Sequence, residues 1–244
     1  MKLLIFDLMG KIAHFRKMDM NSSSMSYSFP PRTTIAGLLA GIMGLERDSY
    51  YELFSSEHCN IAISVRSPIR KIVQTVNYMF VKDPGDVNNY KGHTQIPLEF
   101  ILPDGNIENL RYRIYFQHNE LNIHQTIKER IKNNRYVYPP YLGISEMLGR
   151  IEWIGETEGT WMESEKSIQI HTIARISQIK ERTIKITAET QFYKEYMTRD
   201  FTRERTIKEV DYYLYEKNHR LFAVPEVPFV QIHYQGTKEN LMFL

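Results

Sequence analysis

Residues Tyr27–Gly44 read YSFPPRTTIAGLLAGIMG. The stretch combines a helical apolar stripe (Ile35, Leu38, Leu39, Ile42, Met43, continued by Leu45) with a second side of small residues: Ala36, Gly37, Ala40, Gly41 and Gly44. Each glycine inside a helix costs about 1 kcal/mol relative to alanine. Such a helix is expected to lay its large side on a sheet and to admit another backbone against its small side. Pro30 and Pro31 lead into it, and Thr33 or Thr34 is placed to cap it.

The elements on either side set the class. Leu3 to Phe15 reads as a first strand, apolar on both faces at its start and so central in a sheet. Ile61–Arg66 alternates in the manner of a half-buried strand, and Ile72–Val81 follows. Residues 82–95, KDPGDVNNYKGHTQ, form a polar, turn-rich insertion. Pro97–Leu102 and Arg111–Gln117 flank PDGN, a hairpin signal. Ile123, Ile127 and Ile131, spaced by four, predict a second helix over Asn122–Asn133, and a strand returns near Arg150–Ile154. Strand, helix, strands with an insertion, helix, strand is the split order of an α+β, ferredoxin-like (RRM-like) domain over residues 1–155. Beyond it GETEGTWMESEK reads as an acidic link. Short β runs follow at Ile168–Ile176, Thr183–Ala188, Tyr212–Glu216, Leu221–Val224 and Pro228–Tyr234, predicting a smaller β-rich region over residues 156–244.

Composition narrows the function classes. With 31 Lys plus Arg against 29 Asp plus Glu, the net charge of +2 does not by itself announce nucleic-acid binding, so any basic surface must be local. The single cysteine, Cys59, excludes an internal disulfide and a multi-cysteine metal site, and it fits a reducing cytoplasm. No secretory signal or membrane-spanning run is evident. No paired metal-ligand motif or nucleotide-binding glycine loop stands out, so no cofactor is expected. Sixteen tyrosines suit both half-buried strands and stacking on bases.

Three stretches occur in a telling order: LLIFDLMGKIAHFRK (3–17), FPPRTTIAGLLAGIMG (29–44) and, after the basic second helix, YPPYLGISEMLGRI (138–151). Together they resemble the Cas-five family, the CRISPR-associated RAMP proteins of type I interference (Cascade) complexes. The tail MTRDFTRERTIKEVDYYLYEKNHRLFA (197–223) is similar to the subtype I-B lineage. The resemblance implies a subunit that caps the 5′ handle of CRISPR RNA in antiviral defence. It implies a thumb, matching residues 82–95 in position, that reaches the Cascade backbone subunit, and a C-terminal part that contacts the large subunit.

On that footing the candidate RNA-binding residues are as follows. Arg32, Thr33 and Thr34 stand at the helix start, where free N–H groups favour phosphate. His14 and Arg16 end the first strand; His14 equally fits a hydrogen-bonded sheet histidine. Arg66, Arg70 and Lys71 bracket a strand end and could track a phosphate backbone. Lys82, Asn89, Tyr90, Lys91 and His93 offer charge, amide and a stacking ring to single-stranded RNA. Gly143 is expected to take a backbone conformation closed to other residues, with Tyr138 and Tyr141 read as core. Arg199, Arg203, Arg205 and Lys208 are interleaved with acids and read as a salt-bridged surface. One branch of the family cuts repeat RNA without metal, and Tyr90, Lys91 and His93 would be the catalytic set of that alternative, an endoribonuclease. The favoured reading is a non-catalytic subunit.

Overall fold

The computed structural model describes residues 1–18, 23–88, 90–164, 166–179, 191–217, 222–224 and 227–244. In chain order the elements are β1 (Lys2–Gly10), β2 (Phe15–Arg16), β3 (Ser26–Tyr27), α1 (Arg32–Met43), β4 (Cys59–Val65), β5 (Ile69–Met79), β6 (His93–Pro103), β7 (Leu110–His118), α2 (Leu121–Lys132) and β8 (Arg150–Glu163). Then come β9 (Ile168–Ile170), β10 (Ala174–Arg175), β11 (Phe192–Phe201), β12 (Ile207–Glu216), β13 (Phe222–Val224), β14 (Pro228–Tyr234) and β15 (Thr237–Leu241). The fold is mixed α and β, mostly antiparallel strand. The expected strand over Thr183–Ala188 lies outside the described residues.

The main sheet has six strands in the order β15-β14-β8-β1-β7-β4. β1 is central, as its two apolar faces require. Leu4, Phe6 and Leu8 join Ile61, Ile63, Tyr112, Ile114 and Phe116 on one face, against Ile35, Leu39 and Ile42 of α1 and Ile127 and Ile131 of α2. Removing a side chain of this kind from water contributes about 1.5–3 kcal/mol. On the other face Leu3, Ile5, Ala62 and Tyr115 meet Val230, Ile232, Leu241 and Phe243. The outer edge of β4 is closed by Ile173 N to Ile63 O at 2.8 Å and Leu244 N to Ile61 O at 2.9 Å, which leaves no free template for another strand.

Three expectations need correction. The PDGN turn does not join a hairpin: β6 pairs with β5 in a separate two-stranded sheet, and β7 pairs with β1 and β4. The signal was local, and the partner of each strand was not. The link after Gly155 is strand instead, since β8 runs on to Glu163. Its glycines are there for close packing: a Cβ on Gly155 would meet the Tyr234 ring, and one on Gly159 would lie 2.7 Å from Leu3 and 2.6 Å from Val230. The boundary drawn at 155 therefore falls inside a strand, whose first part pairs with β1 and whose last part pairs with β14. The C-terminal part also has an apolar cluster of its own, with Ile170, Ala174, Leu214 and Phe229.

Candidate nucleic-acid interface

The start of α1 differs from the reading that Thr33 or Thr34 caps it. Pro31 holds the N-cap position and no side chain caps the helix. Its carbonyl accepts from Thr34 N at 2.9 Å and Ile35 N at 3.1 Å. The two threonines sit in the first turn, half-buried. The far end stops at Gly44, in the left-handed conformation (φ 79°), where a Cβ would lie 2.8 Å from Val137. The chain after α2 runs against the small side as expected: Val137 N donates to Ile42 O at 3.3 Å and Tyr138 N to Gly41 O at 3.2 Å.

Between these pieces lies a groove of about 690 Å³. Gly37, Ala40 and Gly41 make its floor, and Thr33 and Thr34 lie along the same helix. Tyr50 and Tyr51 form one wall, with ring centroids 4.8 Å apart. Tyr138, Tyr141 and Gly143 form the other. Tyr138 is 58% and Tyr141 43% exposed, so neither is core; they wall the groove. Phe201, whose ring centroid lies 5.5 Å from that of Tyr51, and Arg205 also line it. Burial raises the Tyr50 hydroxyl above its ordinary range, so it stays protonated. Glu46 and Arg47 also line the groove, and Asp48 stands 3.6 Å from Arg205. These charges balance, so the groove offers rings and hydroxyls more than net charge.

Gly143 needs to be glycine twice over. Its φ is +96°, and a Cβ there would sit 1.9 Å from the carbonyl oxygen of His14. His14 is buried: its Nδ1 lies 2.7 Å from Glu99 O, its Nε2 lies 2.9 Å from Ser24 Oγ, and burial lowers its pKa. It is the hydrogen-bonded histidine of the sequence-level alternative, and it lies behind the groove.

Three other predicted contacts are engaged elsewhere. Arg32 is 2% exposed, with Nη1 2.7 Å from Asp200 and Nη2 donating to Cys59 O at 3.0 Å. It joins α1 to β11 and has no face for a phosphate. Lys71 donates to Ser26 O at 2.6 Å and lies between Glu99 at 3.3 Å and Glu195 at 3.8 Å. Arg66 is on the opposite face of the sheet from α1, bound through Nη2 to Tyr115 Oη and Glu239 at 2.7 and 2.6 Å. Arg16, in β2, is exposed.

β5 and β6 make a long hairpin in register from Ile69↔Pro103 to Met79↔His93. Its base is tied to the body by Ala13 and Ile101, which exchange bonds of 3.0 and 2.9 Å. Arg70 is exposed along it. The polar insertion forms its tip and carries exposed Lys82, Tyr90, Lys91 and His93; Asn89 lies outside the described residues. Lys91 reaches Asp86 at 2.7 Å, and that bond, with the N–H groups of Lys82 and Asp83, holds Asp86 below the usual carboxylate range. Tyr90 is 90% exposed. Val73, Tyr78, Met79, Val81 and Val87 are also exposed, an apolar series unusual for an arm in solvent. In the tail the salt-bridged reading fits: Arg199 meets Glu209 and Lys208 meets Glu57, each at 2.6 Å.

A family model described as CRISPR-associated protein (Cas_Cas5) matches residues 3–235. The chain belongs to this Cas-five family. No curated protein matches it. Among solved structures it is similar to a CRISPR protein from Archaeoglobus fulgidus, at 14% identity and a TM-score of 0.58, with all of both chains covered. It is also similar to a chain of a CRISPR RNA-guided surveillance complex, at 12% identity and a TM-score of 0.51, covering 93% of this chain and 91% of that one. At these identities the likeness is one of fold. Among the described residues no helix is long and apolar enough to cross a membrane, and no group of three or more His, Cys, Asp or Glu is placed to hold a metal ion.

The groove brings together Thr33, Thr34 and Gly143, adds Arg205 from the tail read as a salt-bridged surface, and adds Tyr50 and Tyr51, which sequence reasoning did not single out. Their signal was present only as a high tyrosine count. Nothing local distinguishes a tyrosine in a groove from one in a core.

Proposed function

We propose that the chain is a cytoplasmic, non-catalytic RNA-binding subunit of a type I Cascade complex, I-B-like, that caps the 5′ handle of CRISPR RNA. The observation that carries this is the tyrosine-walled groove, formed where the family-like α1 and the Gly143 loop meet. Exposed rings over a glycine floor suit splayed bases, each worth about 1–3 kcal/mol in stacking. The order β8-β1-β7-β4, with α1 and α2 in the two crossovers, supports a ferredoxin-like domain. The β5–β6 hairpin acts as the thumb, its exposed apolar residues meeting the backbone subunit, and the β-rich C-terminal part faces the large subunit. The tip favours binding over cutting: Lys91 is committed to Asp86, and Tyr90 and His93 are exposed.

The test is anisotropy with handle RNA and a scrambled RNA in the assembled complex. Handle RNA should bind more tightly, with affinity falling as salt rises, and Tyr138→Ala with Tyr141→Ala should weaken it by about tenfold or more. Equal binding of both RNAs defeats handle recognition. Repeat RNA incubated with the protein without metal should stay intact; a defined cut that His93→Ala abolishes would instead make the chain an endoribonuclease.

A further inference from the structure

The apolar cluster on the face of the main sheet away from the helices stops short of its last rows. Val230, Ile232, Leu241 and Phe243 close over the rows containing Leu3, Ile5, Ala62 and Tyr115. Two more rows continue past them. Strand register places Ser64, Arg113, Asp7 and Glu152 in one. Arg66, Arg111, Met9 and Arg150 occupy the next, with Arg66 N donating to Arg111 O at 2.8 Å. Four guanidinium groups thus share one patch with three carboxylates.

The carboxylates occupy only part of what the arginines offer. Asp7, fully buried, takes Arg111 Nη1 at 2.9 Å and Arg113 Nε and Nη2 at 2.8 and 3.1 Å. Glu152 lies 3.4 Å from Arg111, and Glu239 holds Arg66. Arg150 is exposed and has no ion pair among the described residues. The Arg66, Arg111 and Arg113 side chains keep 27%, 35% and 21% exposure. Each guanidinium has five N–H donors, so several remain for an incoming acceptor. Arg66 and Arg111 stand directly opposite each other, and like charges so placed weaken a sheet. An anionic ligand laid across the row would relieve that repulsion.

We infer that this arginine row binds the phosphodiester backbone of a nucleic acid, as a track separate from the tyrosine groove. Arginine forks engage phosphate oxygens in pairs; Arg66 and Arg111 lie on neighbouring strands about 4.8 Å apart, and Arg150 continues the row two strands beyond Arg111, across Met9. Met9, the apolar member of the row, is buried. A protein partner would want an apolar centre to its interface, which the row does not present.

The experiment uses the full chain with a short DNA duplex and, separately, an unstructured single-stranded RNA lacking the handle, each titrated across salt. Arg111→Gln with Arg150→Gln should weaken binding about tenfold and lower the salt slope for the duplex by about two, with handle RNA binding unchanged. Arg113 still holds Asp7 in that variant. Arg150→Glu, at an exposed and unpaired position, gives the same reading in direction should the double variant not fold. Loss on the duplex alone or on the single strand alone supports the track and identifies its occupant. A wild-type chain that binds neither, or variants with unchanged affinity and slope, overturns it. Poly-glutamate competing as well as nucleic acid at equal charge would overturn it too, in favour of an acidic protein segment. Failure of handle recognition in the Tyr138 and Tyr141 variants is read on a different RNA, so the two proposals stand or fall apart.

Discussion

Gly143 concentrates several demands on one residue. Left-handed backbone there costs a side chain about 1–3 kcal/mol, and the His14 carbonyl occupies the space of a Cβ. Gly143→Ala should therefore lower unfolding free energy by about 2 kcal/mol or more, measured in denaturant, and weaken handle RNA because the loop bearing Tyr141 must shift. A result within 0.5 kcal/mol of wild type, roughly the range of surface substitutions, would contradict the close packing. Histidine supplies a second residue-level prediction. Burial lowers the pKa of His14, His124 and His171 below the ordinary 6.5. The unfolded chain then binds more protons between the folded values and 6.5, so stability rises with pH in that window. It should be fully present above about pH 6.5 and be lost as the pH falls below it. Denaturant midpoints at pH 7.5 and 5.5 check this, and an unchanged or higher midpoint at 5.5 would refute it.

At the scale of elements the β5–β6 hairpin is separable. Its tip lies beyond the last register pair, Met79↔His93, and Phe80 N to Gly92 O at 3.1 Å closes the loop. Replacing residues 80–92 by Asn-Gly should keep one cooperative unfolding transition with a stability change of less than about 1 kcal/mol, because the core is built elsewhere. Assembly with the backbone subunit should be lost, as read by co-purification. Loss of cooperative unfolding would show that the tip is structural. α1 and α2 were legible because their apolar stripes repeat at helical spacing; α2 forms within a residue of its expected span, while α1 starts at Arg32, ahead of the cap expected at Thr33 or Thr34. β8 was not legible past Gly155, since glycine and acidic residues signal loop unless the neighbours filling their space are known. β11 and β15 were missed for a related reason. β11 puts charge at buried positions such as Glu195 and Asp200, and β15 carries Glu239 bound to Arg66; only partners from distant segments make these tolerable.

For the whole molecule the decisive link is Arg32–Asp200, 168 residues apart in sequence and almost fully buried. Asp200 also accepts from Ser56 N at 3.2 Å. Arg32→Ala should destabilise the fold by about 3–5 kcal/mol because it leaves a buried carboxylate without its partner. Arg32→Met with Asp200→Leu should recover much of that loss, since an apolar pair removes both charges together. Chemical denaturation of the three proteins decides. If Arg32→Ala is neutral, the arginine is available to a ligand after all.

Sequence alone settled the two helices, the central first strand, the order of strand, helix, strands, helix and strand along the first part of the chain, and the need for glycine at Gly143, because each rests on local periodicity or backbone geometry. The family followed from motifs in a fixed order. Tertiary structure alone decided which charges are free. Arg32, Lys71 and Arg66 look alike as basic residues near an expected site, yet one is buried on Asp200, one lies between two glutamates and one is on the far side of the sheet. It also decided that Tyr50, Tyr138 and Tyr141 share a groove and that Arg66, Arg111 and Arg150 share a row. Those facts depend on which distant segments meet. A side chain's neighbours, unlike its helix or strand propensity, are set by long-range pairing.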